Sequence, residues 1–213
     1  MQMTCTQQDF GRSVVDHEMR VIRDDGVYRH IKFENPVSNI YWFEISTWPG
    51  SLCINGGMGA YVFYFVGDMF EFFRKITSDD PSNLRINPAR SMRRLQAVSA
   101  GRDGSGSAHQ FSFNSFLNCV KYQFDEYFES RKISEKRRFD LWAEIKTRVL
   151  DHVKDDEGYA LELLSDFTSG EFPDLFEGFI DFSCRDYTDS FIWNLYAIAW
   201  TIRKYDAAHT VTA

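Results

Sequence analysis

The sequence predicts an α+β fold, an N-terminal antiparallel β-meander of about five strands followed by a mostly helical C-terminal part, and three observations carry that expectation. The first third is built of alternating or continuous apolar runs separated by Asp-Gly, Pro-Gly and Gly-Gly steps, the punctuation of strands and tight turns. Beyond residue 109 the apolar side chains recur instead at three- and four-residue steps, the helical period. Aromatic residues make up 16% of the chain, with twenty Phe, ten Tyr and five Trp, so a large core can be filled although the mean hydropathy is only -0.37. At 213 residues the chain is expected to form a single domain, 1–213, with a strand-rich sub-region at 1–76, an arginine-bearing linker region at 77–108 and a helical part at 109–213.

Each element follows from local pattern. Residues 19–23 and 27–33 flank Asp24-Asp25-Gly26, a hairpin signal. In the second run Val27, Arg29, Ile31 and Phe33 share one face, and Tyr28, His30 and Lys32 the other. A strand over 40–47 leads to Trp48-Pro49-Gly50, whose Pro and Gly suit the two central positions of a type II turn, and then to a strand over 51–55. Gly56-Gly57-Met58-Gly59 closes that strand, and 60–66 reads as a strand buried on both faces. Gly67 or Asp68 opens a helix through Met69, Phe70, Phe72, Phe73 and Ile76, with an acid at the positive end of the backbone dipole. A short helix is expected around 91–98, and 99–108 is a loop rich in Gly and Ser.

In the helical part, Phe113, Phe116, Leu117, Val120, Phe124, Tyr127 and Phe128 mark one helix face. Ser134 is a natural N-cap for a second helix burying Phe139, Trp142, Ile145 and Val149. A third, short helix falls at 159–167, and 172–186 is irregular or briefly helical. Thr188 or Asp189 caps the last helix, in which Phe191, Ile192, Leu195, Ala199 and Ile202 form one stripe and Trp193, Tyr196 and Trp200 another. A helix apolar on two faces is either central or docks a partner, so a homo-oligomer through this helix is one expectation.

Charge narrows the function classes. The net charge of -7 disfavours direct nucleic-acid binding, which relies on Lys and Arg against phosphate. The distribution is uneven. Arg85, Arg90, Arg93, Arg94 and Arg102 meet no acid between them, whereas 151–189 is an acidic series broken only by Lys154 and Arg185. The arginines either contact a polyanion or pair with the acidic half of this chain or a second copy. Pairing is the preferred expectation, because an acidic molecule opposes phosphate. The acidic face formed by Asp155, Asp156, Glu157, Glu162 and Asp166 is either solubilising or a mimic of phosphates shown to a nucleic-acid-binding partner.

Catalytic, metal and cofactor signatures are not encoded. Gly56-Gly57-Met58-Gly59 fits neither a dinucleotide nor a P-loop pattern, so no cofactor is expected. His17-Glu18 begins like a zinc-protease motif, but Val21 stands where its second histidine belongs. The acids from Asp151 to Glu157 fail as a calcium loop because Val153 occupies a ligand position. His17, His30 and Cys53 could converge in the strand third, yet no nucleophile motif frames them. Cys5, Cys53, Cys119 and Cys184 are widely spaced and expected to be buried free thiols. The start, MQMTCTQQDF, lacks the pattern of a signal peptide. The uncharged stretch 45–67 is interrupted by Pro49, Asn55 and four glycines, so no membrane span is expected.

Residues 40–74, IYWFEISTWPGSLCINGGMGAYVFYFVGDMFEFFR, with the preceding DHEMRVIRDDGVYRHIKF, resemble a family of accessory proteins encoded by bacteriophages and prophages. The resemblance is dense over 16–74 and rests on Trp48-Pro49-Gly50, on Gly57-Met58-Gly59 followed by Tyr61-Val62-Phe63, and on 68–74, DMFEFFR. It implies a protein of the infected host's cytoplasm and transfers no activity. On that footing the expected function is a non-enzymatic binding protein that inhibits a host antiviral defence complex, as anti-CRISPR proteins do. Its partner would be a host protein or defence ribonucleoprotein, met by occlusion or by phosphate mimicry. The alternatives are an accessory enzyme with a scattered site around His17, His30 and Cys53, and a nucleic-acid-handling protein using 85–102.

Overall fold

The computed structural model describes residues 5–75, 83–100, 107–129, 131, 133–167, 171–179 and 183–210. In chain order its elements are α1 (Gln7–Ser13), β1 (Glu18–Asp25), β2 (Tyr28–Asn35), β3 (Ser38–Trp48), β4 (Ser51–Gly56), β5 (Gly59–Tyr64), α2 (Met69–Arg74), α3 (Pro88–Met92) and β6 (Leu95–Val98). Then follow β7 (His109–Phe111), α4 (Phe113–Glu129), α5 (Glu135–Arg148), a 3-10 turn (Leu150–His152), α6 (Glu157–Ser165), β8 (Arg185–Tyr187) and α7 (Asp189–Thr210). The chain divides into two compact units, 1–108 with 187–213, and 109–186, each with its own apolar cluster. One core was expected; the α+β class holds, but the last helix joins the strands and not the helical part.

In the first unit β1 to β6 form one antiparallel sheet in sequence order. The turns are those the sequence marks. Gly26, between β1 and β2, has φ +59°, and Gly50, between β3 and β4, has φ +75°, the left-handed values that glycine adopts without strain. Alternation decides the faces: Ile31 and Phe33 of β2, Phe43 and Ile45 of β3, Leu52 and Ile54 of β4, and Tyr61 and Phe63 of β5 are all buried. At the far end of β3, Tyr41 has φ 60°, and Gly57 N–H donates to the Trp42 carbonyl at 2.9 Å.

The helix expected around 91–98 is instead α3, which stops at Met92, followed by strand β6. The physical reason is non-local. The exposed edge of β5 needs a partner, and Tyr61, Val62 and Phe63 pair with Val98, Ala97 and Leu95. Helix α7 lies on the buried face of the sheet, where Trp200 meets Phe33 at 4.7 Å and Trp193 meets Phe43 at 5.5 Å between ring centroids. α1 packs on the same helix through Phe10, whose ring is 5.2 Å from Trp193. Phe191, Trp193, Leu195, Ile198 and Ile202 are buried in their own unit. Tyr196 and Trp200 of the second stripe are partly buried against the same core, so the helix is central to its unit.

In the second unit β7 and β8 form a two-stranded sheet, and α4 lays Phe116, Val120, Phe124 and Phe128 into a cluster with Leu141 and Ile145 of α5 and Ala160 and Leu164 of α6. Ser134 caps α5 as expected, its hydroxyl accepting from Arg137 N–H at 3.2 Å. Phe139 does not enter the core. It is 73% exposed, and the buried positions of this helix are Leu141 and Ile145, one full turn apart.

Candidate functional site

Arg90, Arg93 and Arg94 lie on α3 and at the step into β6, at one corner of the sheet, where the Arg94 carbonyl accepts from Tyr64 N–H at 2.8 Å. Among the described residues none of Arg85, Arg90, Arg93 and Arg94 pairs with a carboxylate. The expected pairing with the acidic half of the same chain is therefore absent from them. Two of the guanidinium groups stack on rings instead. Arg94 lies 4.8 Å from the Phe65 centroid and 5.9 Å from that of Phe72, and Arg90 lies 5.6 Å from Phe72. Phe65 and Phe72 are themselves 5.2 Å apart. Cation–π contact holds a guanidinium in place while leaving its in-plane donors free.

The acidic positions separate into committed and open groups. Asp156 caps α6, accepting from Tyr159 N–H at 3.0 Å, and Glu157 binds Arg185 Nε through both oxygens at 3.0 and 2.8 Å. Asp155, Glu162 and Asp166 are exposed and make no ion pair among the described residues. Elsewhere in the acidic series Glu171 binds Arg137, Asp174 accepts from Tyr127, and Asp186 accepts from Ser115. Of the chain's 24 bases and 31 acids, 10 bases and 17 acids fall in 109–186, which leaves 14 of each in the first unit. The second unit thus holds the whole net charge of -7, and the first is neutral.

The structure brings together two of the three residues considered for nucleophilic catalysis. His30 pairs with Ser46 across β2 and β3, and Ser46 with Cys53 across β3 and β4, so His30 and Cys53 share the open face of the sheet. His30 Nε2 is bound to Glu44 Oε2 at 3.0 Å, and burial followed by the Glu44 charge pushes the Cys53 thiol up. His17 is elsewhere, its Nε2 on the Tyr41 carbonyl at 3.0 Å. Burial, with Asp189 and Asp9 nearby, pushes Cys5 up to about 11, and burial with Cys119 pushes Cys184 up to about 12. Thiols that keep their protons are weak nucleophiles. Among the described residues no three His, Cys, Asp or Glu side chains gather as a metal site, and no helix is long and apolar enough to cross a membrane.

A polar network anchored on the buried Arg29 and Tyr205 escaped the sequence patterns. Arg29 forks onto Asp68 with bonds of 3.0 and 2.8 Å, and its guanidinium lies 4.6 Å from the Phe70 ring and 5.5 Å from that of Tyr205. Tyr205 O–H donates to Asp24 at 2.7 Å, and His209 reaches Asp24 with Nε2 at 2.7 Å and the Tyr205 carbonyl with Nδ1 at 2.8 Å. Both ring nitrogens face acceptors, which favours the imidazolium and raises the His209 pKa. The available signal was Arg29 itself, a cation in register with Ile31 and Phe33.

These features define a two-unit α+β protein whose open positions are surface charges and stacked arginines, with its titratable interior groups tied to one another. Neither a family model, a curated protein nor a solved structure matches the chain.

Proposed function

We propose that the chain is a non-enzymatic accessory protein of a bacteriophage or prophage that inhibits a host antiviral defence complex, in the manner of anti-CRISPR proteins, through protein–protein contact made by its second unit. The observation that carries the proposal is the segregation of charge: the second unit holds the entire net charge of -7. Asp155, Glu162 and Asp166 stand exposed at and around α6. Carboxylates fixed on a folded scaffold suit a Lys- or Arg-rich groove that otherwise receives phosphates. Asp156 and Glu157, part of the same acidic face, build the scaffold, the first by capping α6 and the second by binding Arg185. The protonated thiols, and histidines bound to Glu44 and to the Tyr41 carbonyl, favour contact over nucleophilic catalysis. The phage setting, and with it the host cytoplasm, comes from the resemblance at 16–74.

The test is phage plating on hosts that carry defined defence systems, with and without the chain. The native chain is expected to restore plating against one system and to co-purify with that system's complex. The variant Asp155→Asn/Glu162→Gln/Asp166→Asn, shown to fold by circular dichroism, is expected to lose both. Full protection by that variant overturns the acidic contact, and no protection by the native chain against any system overturns the function.

A further inference from the structure

The open face of the first unit's sheet carries an aromatic row, one end of which, Tyr64, is tied through its backbone to the arginine segment. Ser51 of β4 pairs with Trp48 on one side and Tyr64 on the other. Arg29 pairs with Thr47, which puts the preceding residue, Tyr28, level with Trp48. Alternation places Tyr28, Trp48 and Tyr64 opposite the buried Arg29, Thr47 and Phe63, and they are 42%, 41% and 49% exposed. The row runs across β2, β3, β4 and β5, one or two strand spacings of about 4.8 Å between rings. The Tyr64 ring rests against Gly50, where an added Cβ would stand 3.0 Å from its Cε2. Tyr64 N–H is bonded to the Arg94 carbonyl, so the row meets the arginine corner through one hydrogen bond of 2.8 Å.

We infer that this face is a binding platform for single-stranded nucleic acid, with bases stacked on Tyr64, Trp48 and Tyr28 and phosphates held by Arg90, Arg93 and Arg94. Aromatic rings that stack bases beside guanidinium groups that neutralise phosphates are the recurrent chemistry of single-strand recognition. The acidity of the whole chain had disfavoured such binding, but the acids responsible belong to 109–186, and the first unit has as many bases as acids. Arg90 and Arg94 are held on the Phe65–Phe72 pair with no carboxylate partner among the described residues, so little ordering is needed for their forks to meet phosphate oxygens. An acidic peptide would use the arginines but leave the aromatic row idle. The platform belongs to the first unit and does not depend on the proposed contact through the second.

Fluorescence anisotropy of the full chain with labelled oligo-dT and oligo-U tests the inference and separates DNA from RNA as the ligand. At low salt at least one of them is expected to bind, with affinity falling as salt rises. Arg90→Ala/Arg94→Ala is expected to weaken binding at least tenfold and to reduce the salt slope by about 1.4, the value for two lost phosphate contacts on a single strand. Tyr64→Leu and Trp48→Leu are each expected to weaken binding about tenfold with the salt slope unchanged. Arg90→Lys/Arg94→Lys keeps the charges without the stacked forks and guards against misfolding of the alanine variant; it should bind between the two. No binding to either oligonucleotide, equal binding by the variants, or tighter binding to a duplex or to a poly-Glu peptide overturns the inference.

Discussion

Arg29 and Asp68 face each other inside the first unit, joined by two hydrogen bonds of 3.0 and 2.8 Å, with side chains only 9% and 15% exposed. Asp68 also caps α2, accepting from Phe70 N–H at 2.8 Å. Removing either partner leaves a charge stranded in a poorly solvated place. Arg29→Met or Asp68→Ala is expected to destabilise the protein by about 3–5 kcal/mol, measured by urea denaturation. The double variant should cost less than the sum of the two, because the pair is lost only once.

His209 makes the docking of the last turn of α7 depend on pH. Its pKa is raised above the ordinary 6.5 by the Tyr205 carbonyl and then by Asp24. Its contribution is therefore complete below 6.5 and is lost as pH rises through the elevated folded value. Asp24 is lowered from 3.8, first by the Tyr205 hydroxyl, so its contribution is present above 3.8 and is lost as pH falls through the depressed value. The tie is strongest between those limits. His209→Gln should flatten the fall in thermal midpoint as pH rises above 6.5, where the native histidine gives up its proton.

Two glycines of the sheet should respond differently to alanine. At Gly56 an added Cβ would lie 2.2 Å from the Trp42 carbonyl oxygen and 2.7 Å from Phe43 Cα, so β3 and β4 must part. Gly26 has open space around it and only its φ of +59° to protect. Gly56→Ala is expected to cost more than about 2 kcal/mol. Gly26→Ala should cost about 1 kcal/mol. Denaturation midpoints measured side by side decide it.

Each unit fills its own core, so damage should stay local. Phe116→Ala is expected to remove about 3–5 kcal/mol of packing from the second unit. In hydrogen exchange, amides of α4, α5 and α6 should lose protection while those of β2 and β3 keep theirs. Phe43→Ala should do the reverse.

Much of the first unit is legible because its signals are local. The alternation of β2, the glycine at the third position of the Pro49-Gly50 turn and the cap at Asp68 each need only a few neighbouring residues. β6 was missed because Leu95 to Val98 becomes a strand only beside β5, a partner some thirty residues away in sequence. Phe139 was misassigned because a helix with both Phe139 and Leu141 offers two faces, and only the neighbours of α5 choose between them. The arginine segment stood out by composition. That Arg85, Arg90, Arg93 and Arg94 lack carboxylate partners among the described residues, and that the acids meant to oppose them belong to another unit, depends on where the chain folds back at Ala108 and Thr188, and Arg102 lies outside the described residues.

That fold-back, in which Thr188 N–H donates to the Ala108 carbonyl at 3.0 Å, makes the second unit an insertion in the first. On the ribosome the sheet strands are all synthesised by Val98, yet the helix that covers Phe33 and Phe43 begins only at Asp189. The inserted unit can complete its core while the sheet still shows its apolar face, so during synthesis the first unit is the one that needs a chaperone's shelter.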